Sequence, residues 1–328
     1  MNRLISDSVP RRRSLTQISD LSDKEVLELV ERAETYRQME EDTRRFSDVL
    51  KDFVVATLFF EGSTRTRLSF TLAAERLGAR VIDLGVSMSS VSKGESLKDT
   101  CDTVSALGAD AVVVRHPNEG APLQIASWTN LAVVNAGDGC HEHPTQALGD
   151  LFSLSSAFGG LENLSTKRVA IVGDILHSRV ARSLCSLLGR FGVSVVLVGP
   201  PDMMVDRPSA LGAEFSYDLD EVVGEVDVLY LLRIQRERIR GGYNSSIESY
   251  TKRFQLDQKR YQKMSSTSIV MHPGPVNRGV ELAVKVAEER SLIAEQVRNG
   301  VLMRMAVFSK ILDTAWIGGQ PQKGAFHG

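Results

Sequence analysis

Two stretches of the chain combine residue types that could do chemistry. The first is Phe59-Phe60-Glu61-Gly62-Ser63-Thr64-Arg65-Thr66-Arg67. The apolar, β-branched run 54–60 reads as a strand buried on both faces; small hydroxyl residues follow, and a helical pattern then runs to Leu77. A helix N-terminus presents unpaired N–H groups and the positive end of the helix dipole, so it attracts anions. Ser63, Thr64 and Thr66 add hydroxyl donors, and Arg65 adds a planar charged fork suited to phosphate. A serine and a threonine alone would be an ordinary helix cap. Two threonines and two arginines directly behind a buried strand point to anion binding. The second stretch is Gly137-Asp138-Gly139-Cys140-His141-Glu142-His143-Pro144-Thr145-Gln146. Its glycines turn the chain after a strand at 131–135, and a helix starts near His143. His143 and Gln146 are three apart, so both can face one side of the first helical turn. There a histidine donor could hold a carbonyl oxygen while an amide reads an NH2 group. His141 and His143 lack the i, i+4 spacing of a helical zinc pair, so no metal is expected. The chain has no GxxxxGK[ST] and no GxGxxG, which argues against a nucleotide P-loop and a dinucleotide fingerprint.

These groups need elements to position them. Short apolar runs at 54–60, 80–84, 111–114, 131–135, 168–172, 194–198, 226–232 and 268–271 are predicted strands, most of them separated by segments of helical length. Ser22 and Glu25 form a capping box ahead of a helix over 26–39. Alternating strand and helix predicts parallel sheets with right-handed crossovers. Four strands precede residue 136 and four follow residue 167, with a helix over about 143–158 between them. The predicted fold class is therefore α/β, with two doubly wound parallel-sheet domains joined by helices. The last helical pattern, 291–313, is expected to pack back on the first domain. Residues 1–143 with about 294–318 then form one domain, and 144–293 the other. The Gly-, Gln- and Pro-rich tail after Ile317 is expected to fray. Open α/β sheets bind ligands at the carboxyl ends of their strands. Arg115 closes the 111–114 strand, Arg179 starts a helix after the Gly173-Asp174 turn, and Arg233 follows the 226–232 strand. Gln235 lies two residues beyond Arg233, so in extended chain both point the same way.

Composition excludes other classes. A chain of 328 residues suggests two or three domains. A charged fraction of 24%, a hydrophobic fraction of 42% and a net charge of −2 are ordinary globular values, so disorder, nucleic-acid partners and anionic membranes are not expected. No window reaches the roughly 18–20 apolar residues that cross a bilayer. Arg3, Arg11, Arg12 and Arg13 come without an apolar h-region, so no secretory signal is read; Asp7 and the segment's brevity weigh against a transit peptide. Cys101, Cys140 and Cys185 are odd in number and show no CxxC spacing. They read as small thiols of a cytoplasmic protein.

The chain resembles the aspartate carbamoyltransferase family. The resemblance is carried by residues 63–67, Arg115-His116-Pro117, 135–148, 173–183, 232–238 and His272-Pro273-Gly274-Pro275, which come in the family's order over nearly the whole chain. It implies transfer of the carbamoyl group of carbamoyl phosphate to L-aspartate, an early step of pyrimidine synthesis, with no metal or cofactor. By resemblance, Ser63, Thr64, Arg65 and Thr66 cradle the phosphate, Arg115 reaches phosphate and carbonyl oxygen, and His143 polarises that carbonyl with Thr66. Gln146 and the carbonyls of Gly274 and Pro275 read the carbamoyl NH2. Lys93, Arg179, Arg233 and Gln235 take aspartate. Ser89 and Lys93, in a stretch that otherwise reads as a mobile loop, enter the site of a neighbouring subunit in a homotrimer with shared active sites. A regulatory chain or dihydroorotase is a further partner the resemblance allows. Three positions depart from the family's usual pattern. Gly149 sits inside a predicted helix, at a cost of about 1 kcal/mol. Gly62 is smaller than usual, and Gly274 stands where some relatives carry leucine. The ornithine branch typically shows a cysteine where this chain has Pro273, and two arginines suit a dicarboxylate. A non-catalytic homologue would be expected to have lost a donor such as His143 or Arg115.

Overall fold

The computed structural model describes residues 13–42, 48–84, 95–235, 246–286, 290–312, 316–317 and 320–321. The elements alternate, starting with α1 (Asp23–Asp42), β1 (Val54–Phe59), α2 (Thr64–Arg76), β2 (Arg80–Leu84) and α3 (Leu97–Ala106). Next come β3 (Ala111–His116), α4 (Ala121–Trp128), β4 (Ala132–Asp138) and α5 (Pro144–Phe158). They continue with β5 (Arg168–Val172), α6 (Arg179–Arg190), β6 (Ser194–Val198), β7 (Glu214–Ser216), α7 (Leu219–Val222) and β8 (Val228–Leu231). The last are α8 (Ile247–Phe254), α9 (Gln258–Lys263), β9 (Ile269–Met271) and α10 (Ile293–Ile311). The chain divides into two compact units, Met1–Thr145 with Gly300–Gly328, and Gln146–Asn299. It passes from one to the other within α5 and returns within α10.

The first unit holds a parallel sheet in the order β2-β1-β3-β4. Ala111, Val112, Val113 and Val114 of β3 are fully buried, as a strand covered on both faces requires. Val112 and Val114 join Ala56, Leu58, Cys101, Val104, Ile125 and Val133 in one core cluster. Burial pushes the Cys101 thiol up to about 11, so it is a packing side chain. The Ser22–Glu25 capping box forms in both directions, Ser22 N donating to Glu25 at 2.9 Å and Glu25 N to the Ser22 hydroxyl at 3.4 Å. The C-terminal part of α10 lies against α2 and α1: Arg304 Nη1 donates to Ser69 Oγ at 2.8 Å, and Lys310 Nζ to Glu28 at 2.6 Å. β3 and β4 run further than the predicted 114 and 135, because their ends carry the polar groups described below.

The second unit holds a parallel sheet in the order β7-β6-β5-β8-β9, around a core that includes Val172, Val198, Leu229, Leu231, Tyr250 and Phe254. Sequence periodicity does not reveal β7. It is a three-residue edge strand whose Glu214 and Phe215 are exposed, so it carries no apolar run. Burial pushes the Cys185 thiol up to about 12. In both sheets the chain starts centrally, builds outward to one side, and returns to build on the other. With right-handed crossovers this places helices on both faces. Residues 316–317 pair antiparallel with 320–321 in the tail that was expected to fray. Among the described residues no helix is long and apolar enough to cross a membrane, and no cluster of three His, Cys, Asp or Glu side chains could hold a metal.

Candidate active site

Strand order reverses between β1 and β3 in the first unit and between β5 and β8 in the second. The crevices outside such switch points are where open α/β sheets take ligands. In the first unit, β1 runs into Ser63, the N-cap of α2. The Ser63 side chain makes no capping bond, and the first turn of α2 contains no acidic residue. Arg65 is exposed and has no ion-pair partner among the described residues. Arg67 is answered by Asp83, 3.3 Å away. Basic groups at a helix N-terminus oppose the dipole, and an anion there offsets the cost. Gly62 stands in open space, so no close approach requires it.

Arg115 lies beside this turn. It pairs in register with Phe59, and its carbonyl accepts Phe60 N–H at 2.9 Å. Its Nε lies 3.3 Å from Glu61 Oε2, and its Nη1 donates to Ala136 O at 3.2 Å. The guanidinium, 15% exposed, is thus aimed between the ends of β1 and β4. His116 packs edge-on against Phe60, and burial pulls its ring below the usual histidine range.

His143 follows β4 through a loop organised by Asp138, a buried carboxylate. Asp138 accepts Gly120 N–H at 2.7 Å, the Asn135 amide at 2.7 Å and Glu142 N–H at 3.1 Å, and lies 3.1 Å from the His141 ring. Asn135 also donates to Thr16 O at 2.8 Å, and Glu142 accepts Ile18 N–H at 3.0 Å. These bonds staple the loop to the N-terminal segment. His143 is buried and stands directly before Pro144, a residue pre-set for a first helical turn. Ser63, Thr64, Arg65, Thr66, Arg115 and His143 therefore all sit at carboxyl ends of one sheet.

In the second unit, Gln146 lies on the first turns of α5 and donates its amide to Asp150 Oδ1 at 3.0 Å. Arg179 opens α6, whose N-cap Ser178 accepts Ala181 N–H at 3.0 Å. The turn before it is closed by buried Asp174, which accepts His177 N–H at 3.2 Å. Arg233 is exposed between buried Leu232 and Ile234, and has no ion-pair partner among the described residues. Gln235 is half-buried, so the alternation expected of extended chain is present. β5 and β8 end in close approach: a Cβ on Gly173, whose φ is +135°, would meet Leu232 Cβ at 3.0 Å. The loop after β9 carries Gly274 at φ +70°, a left-handed position that favours glycine, and Pro275, joined by a cis peptide. Asn277 of that loop donates to Ile234 O at 2.8 Å, tying it to the segment behind Arg233. Arg179, Arg233 and Gln235 thus gather at the β5 and β8 ends. Gly274 and Pro275 follow the neighbouring β9.

Ser89, Lys93 and residues 236–238 lie outside the described residues. Glu61, Asp138, Asp150 and His272 carry bonds that sequence reasoning left unassigned. Asp150 had a signal: it is the one charged residue in the helix Pro144–Phe158, four positions after Gln146.

Residues 13–156 match the carbamoyl-P binding domain of the aspartate/ornithine carbamoyltransferases, and residues 165–311 match their Asp/Orn binding domain. The aspartate carbamoyltransferase catalytic subunit of Salinispora tropica is 54% identical over 267 residues, covering 80% of this chain and 86% of that protein. That of Acidothermus cellulolyticus is 45% identical over 310 residues, 94% of each chain. The crystal structure of aspartate transcarbamoylase from Trypanosoma cruzi in complex with carbamoyl phosphate and aspartate superposes with a TM-score of 0.80 at 31% identity, covering 91% of this chain and 96% of that one. The same enzyme has been solved with N-(phosphonacetyl)-L-aspartic acid. This chain, matched in both domains and at these identities, belongs to the aspartate/ornithine carbamoyltransferase family.

Proposed function

We propose that the chain transfers the carbamoyl group of carbamoyl phosphate to the amine of L-aspartate, giving N-carbamoyl-L-aspartate and phosphate. The observation that carries this reading is the pairing of Arg65 on an acid-free helix N-terminus with Arg115 beside it, at the β1/β3 switch point. The aspartate branch is supported by Arg233, an exposed cation at the β5/β8 switch point, and by the names of the relatives.

In the reaction the aspartate nitrogen attacks the carbamoyl carbon. The bond from that carbon to the phosphate oxygen breaks, and the amine proton leaves with the phosphate. Ser63, Thr64, Arg65 and Thr66 hold the phosphate, and Arg115 bridges it to the carbonyl oxygen. His143 and Thr66 donate to that oxygen as it gains charge; one such donor lowers the barrier by about 3 kcal/mol. Gln146 and the carbonyls of Gly274 and Pro275 accept from the carbamoyl NH2. Arg179 and Arg233 hold the two aspartate carboxylates, with Gln235 beside them. Carbamoyl phosphate is already activated, so positioning and fixed charge suffice without a metal or cofactor. Ser89 and Lys93 complete the site of a neighbouring subunit in a homotrimer, in the cytoplasm, at an early step of pyrimidine synthesis. A regulatory chain or dihydroorotase would bind this assembly from outside the catalytic residues. The trimer and its partners rest on the family resemblance.

The test is phosphate release from carbamoyl phosphate, with L-aspartate and L-ornithine offered separately to the purified chain. Release with aspartate alone is expected. Release with ornithine alone would keep the phosphate site and overturn the roles of Arg179 and Arg233. Mixing Lys93→Ala and His143→Ala chains, each nearly inactive, should restore activity after dissociation and reassembly; no recovery would remove the shared site.

A further inference from the structure

A buried carboxylate in the second unit gathers three side-chain donors. Asp150, fully buried, accepts Gln146 Nε2 at 3.0 Å and Gln296 Nε2 at 2.8 Å on one oxygen, and the Tyr230 hydroxyl at 2.6 Å on the other. The chain of bonds continues. Gln296 Oε1 accepts His272 N–H at 2.9 Å. His272 Nδ1 accepts Gly274 N–H at 2.8 Å, so the ring proton sits on Nε2, which faces Glu281 Oε1 at 3.2 Å. Glu281 Oε1 also accepts Asn277 N–H at 2.6 Å, and both His272 and Glu281 are fully buried. A continuous path of hydrogen bonds therefore runs from the Gln146 amide to the Gly274-Pro275 turn.

An ionised carboxylate accepts and cannot donate, so it selects the NH2 end of each glutamine. Gln296 is thereby left with its oxygen toward His272. Gln146 is left with its carbonyl oxygen turned away from Asp150. A glutamine oxygen so presented accepts a hydrogen bond; a flipped amide would offer a donor instead. We propose that Asp150 is a positioning residue for acyl-group selectivity: it fixes the Gln146 amide, and through Gln296 and His272 the Gly274-Pro275 turn, as acceptors for a substrate NH2. This deepens the carbamoyl-transfer reading and rests on it. A site built to bond an NH2 rejects an analogue with a methyl group there, because its buried acceptors are left unpaired. An amide-bearing acyl phosphate is then favoured over its methyl isostere.

The experiment compares kcat/KM for carbamoyl phosphate with that for acetyl phosphate, L-aspartate being the acceptor, in the full chain. The wild type should strongly favour carbamoyl phosphate. Asp150→Asn, matched in size but able to donate as well as accept, lets the Gln146 amide turn over, and the ratio should fall by about tenfold or more. In a Gln146→Leu background, Asp150→Asn should change the ratio less than it does in the wild type, because only the path through Gln296 and His272 is then left to disturb. A purely structural role would lower both activities together and leave the ratio intact. A folded Asp150→Asn enzyme whose ratio stays within about twofold of wild type overturns the proposal, since such a change is within ordinary mutational scatter. If Asp150→Asn does not fold, Gln296→Leu removes one donor and releases His272 while sparing the carboxylate, and an unchanged ratio there overturns it equally. Wild-type silence with both acyl phosphates would overturn the carbamoyl-transfer reading and this proposal together. Wild-type activity without discrimination would overturn this proposal alone.

Discussion

Asp138 and Asp150 are both buried carboxylates that gather several donors, and they differ in what they hold. Two of the bonds that Asp138 accepts come from backbone N–H groups, those of Gly120 and Glu142. The donors Gln146, Tyr230 and Gln296 on Asp150 are side chains, whose orientation is set by rotamer as well as by the backbone that carries them. A carboxylate that binds backbone fixes the path of a loop, here the one delivering His143. A carboxylate that binds side chains fixes which end of an amide faces a ligand. The first kind of network is felt chiefly as stability, the second also as selectivity.

The largest effect expected from breaking this contrast is at Asp138. Asp138→Ala removes the acceptor of the Gly120 and Glu142 N–H groups and one of the acceptors of the buried Asn135 amide, at about 1–3 kcal/mol for each donor stranded. Urea unfolding should show a loss of about 3 kcal/mol or more, and activity should fall with both acyl phosphates alike. A fully stable variant with altered acyl selectivity would erase the distinction between the two carboxylates. Next is His143→Ala, which keeps the loop and removes a donor. Turnover should drop about a hundredfold or more while binding of inorganic phosphate changes little. Wild-type turnover would remove His143 from the carbonyl. Smaller again is Arg233→Ala, in the other unit. The aspartate requirement should rise about ten- to a hundredfold, as for loss of a charged hydrogen bond, with carbamoyl phosphate affinity largely spared. Equal losses for both substrates would contradict the assignment of the two switch points to two substrates.

The sheets were legible in sequence where strands are buried on both faces. β1, β3 and β5 announce themselves as runs such as Val54-Val55-Ala56 and Ala111-Val112-Val113, which only a doubly covered strand tolerates. β7 was not legible, because an exposed three-residue edge leaves no apolar signature. The cationic groups were legible for the same reason as the strands: Arg115 and Arg233 stand out where an apolar run ends. Their supports were not. Asp138 and His272 were visible inside recognisable stretches, yet nothing in the sequence said that they bond Gly120 or Gln296. The 146 residues separating Asp150 from Gln296 are closed only by the fold of the second unit. Spacing can reveal partners on one helix, as with Gln146 and Asp150, but not partners joined by a crossover.

The smallest effect sharpens the contrast within the second unit, between Tyr230 and Tyr250. Both phenols are fully buried, and burial pushes both above the usual tyrosine range, near Asp150 in one case and near Glu281 and Asp174 in the other. Tyr230 has a carboxylate to donate to, whereas the Tyr250 hydroxyl makes no hydrogen bond among the described residues. Removing a hydroxyl bonded to a charged group costs about 1.5–3 kcal/mol, while removing an unsatisfied buried one relieves a desolvation penalty. Tyr230→Phe should therefore lower the urea midpoint, and Tyr250→Phe should leave it unchanged or raise it. Because Tyr230 bonds Asp150, its loss should also weaken acyl selectivity, which Tyr250→Phe leaves alone. Equal destabilisation by the two substitutions would mean that the Tyr250 hydroxyl is satisfied in solution. It would also mean that the bond to Asp150 gives Tyr230 no special place in the network.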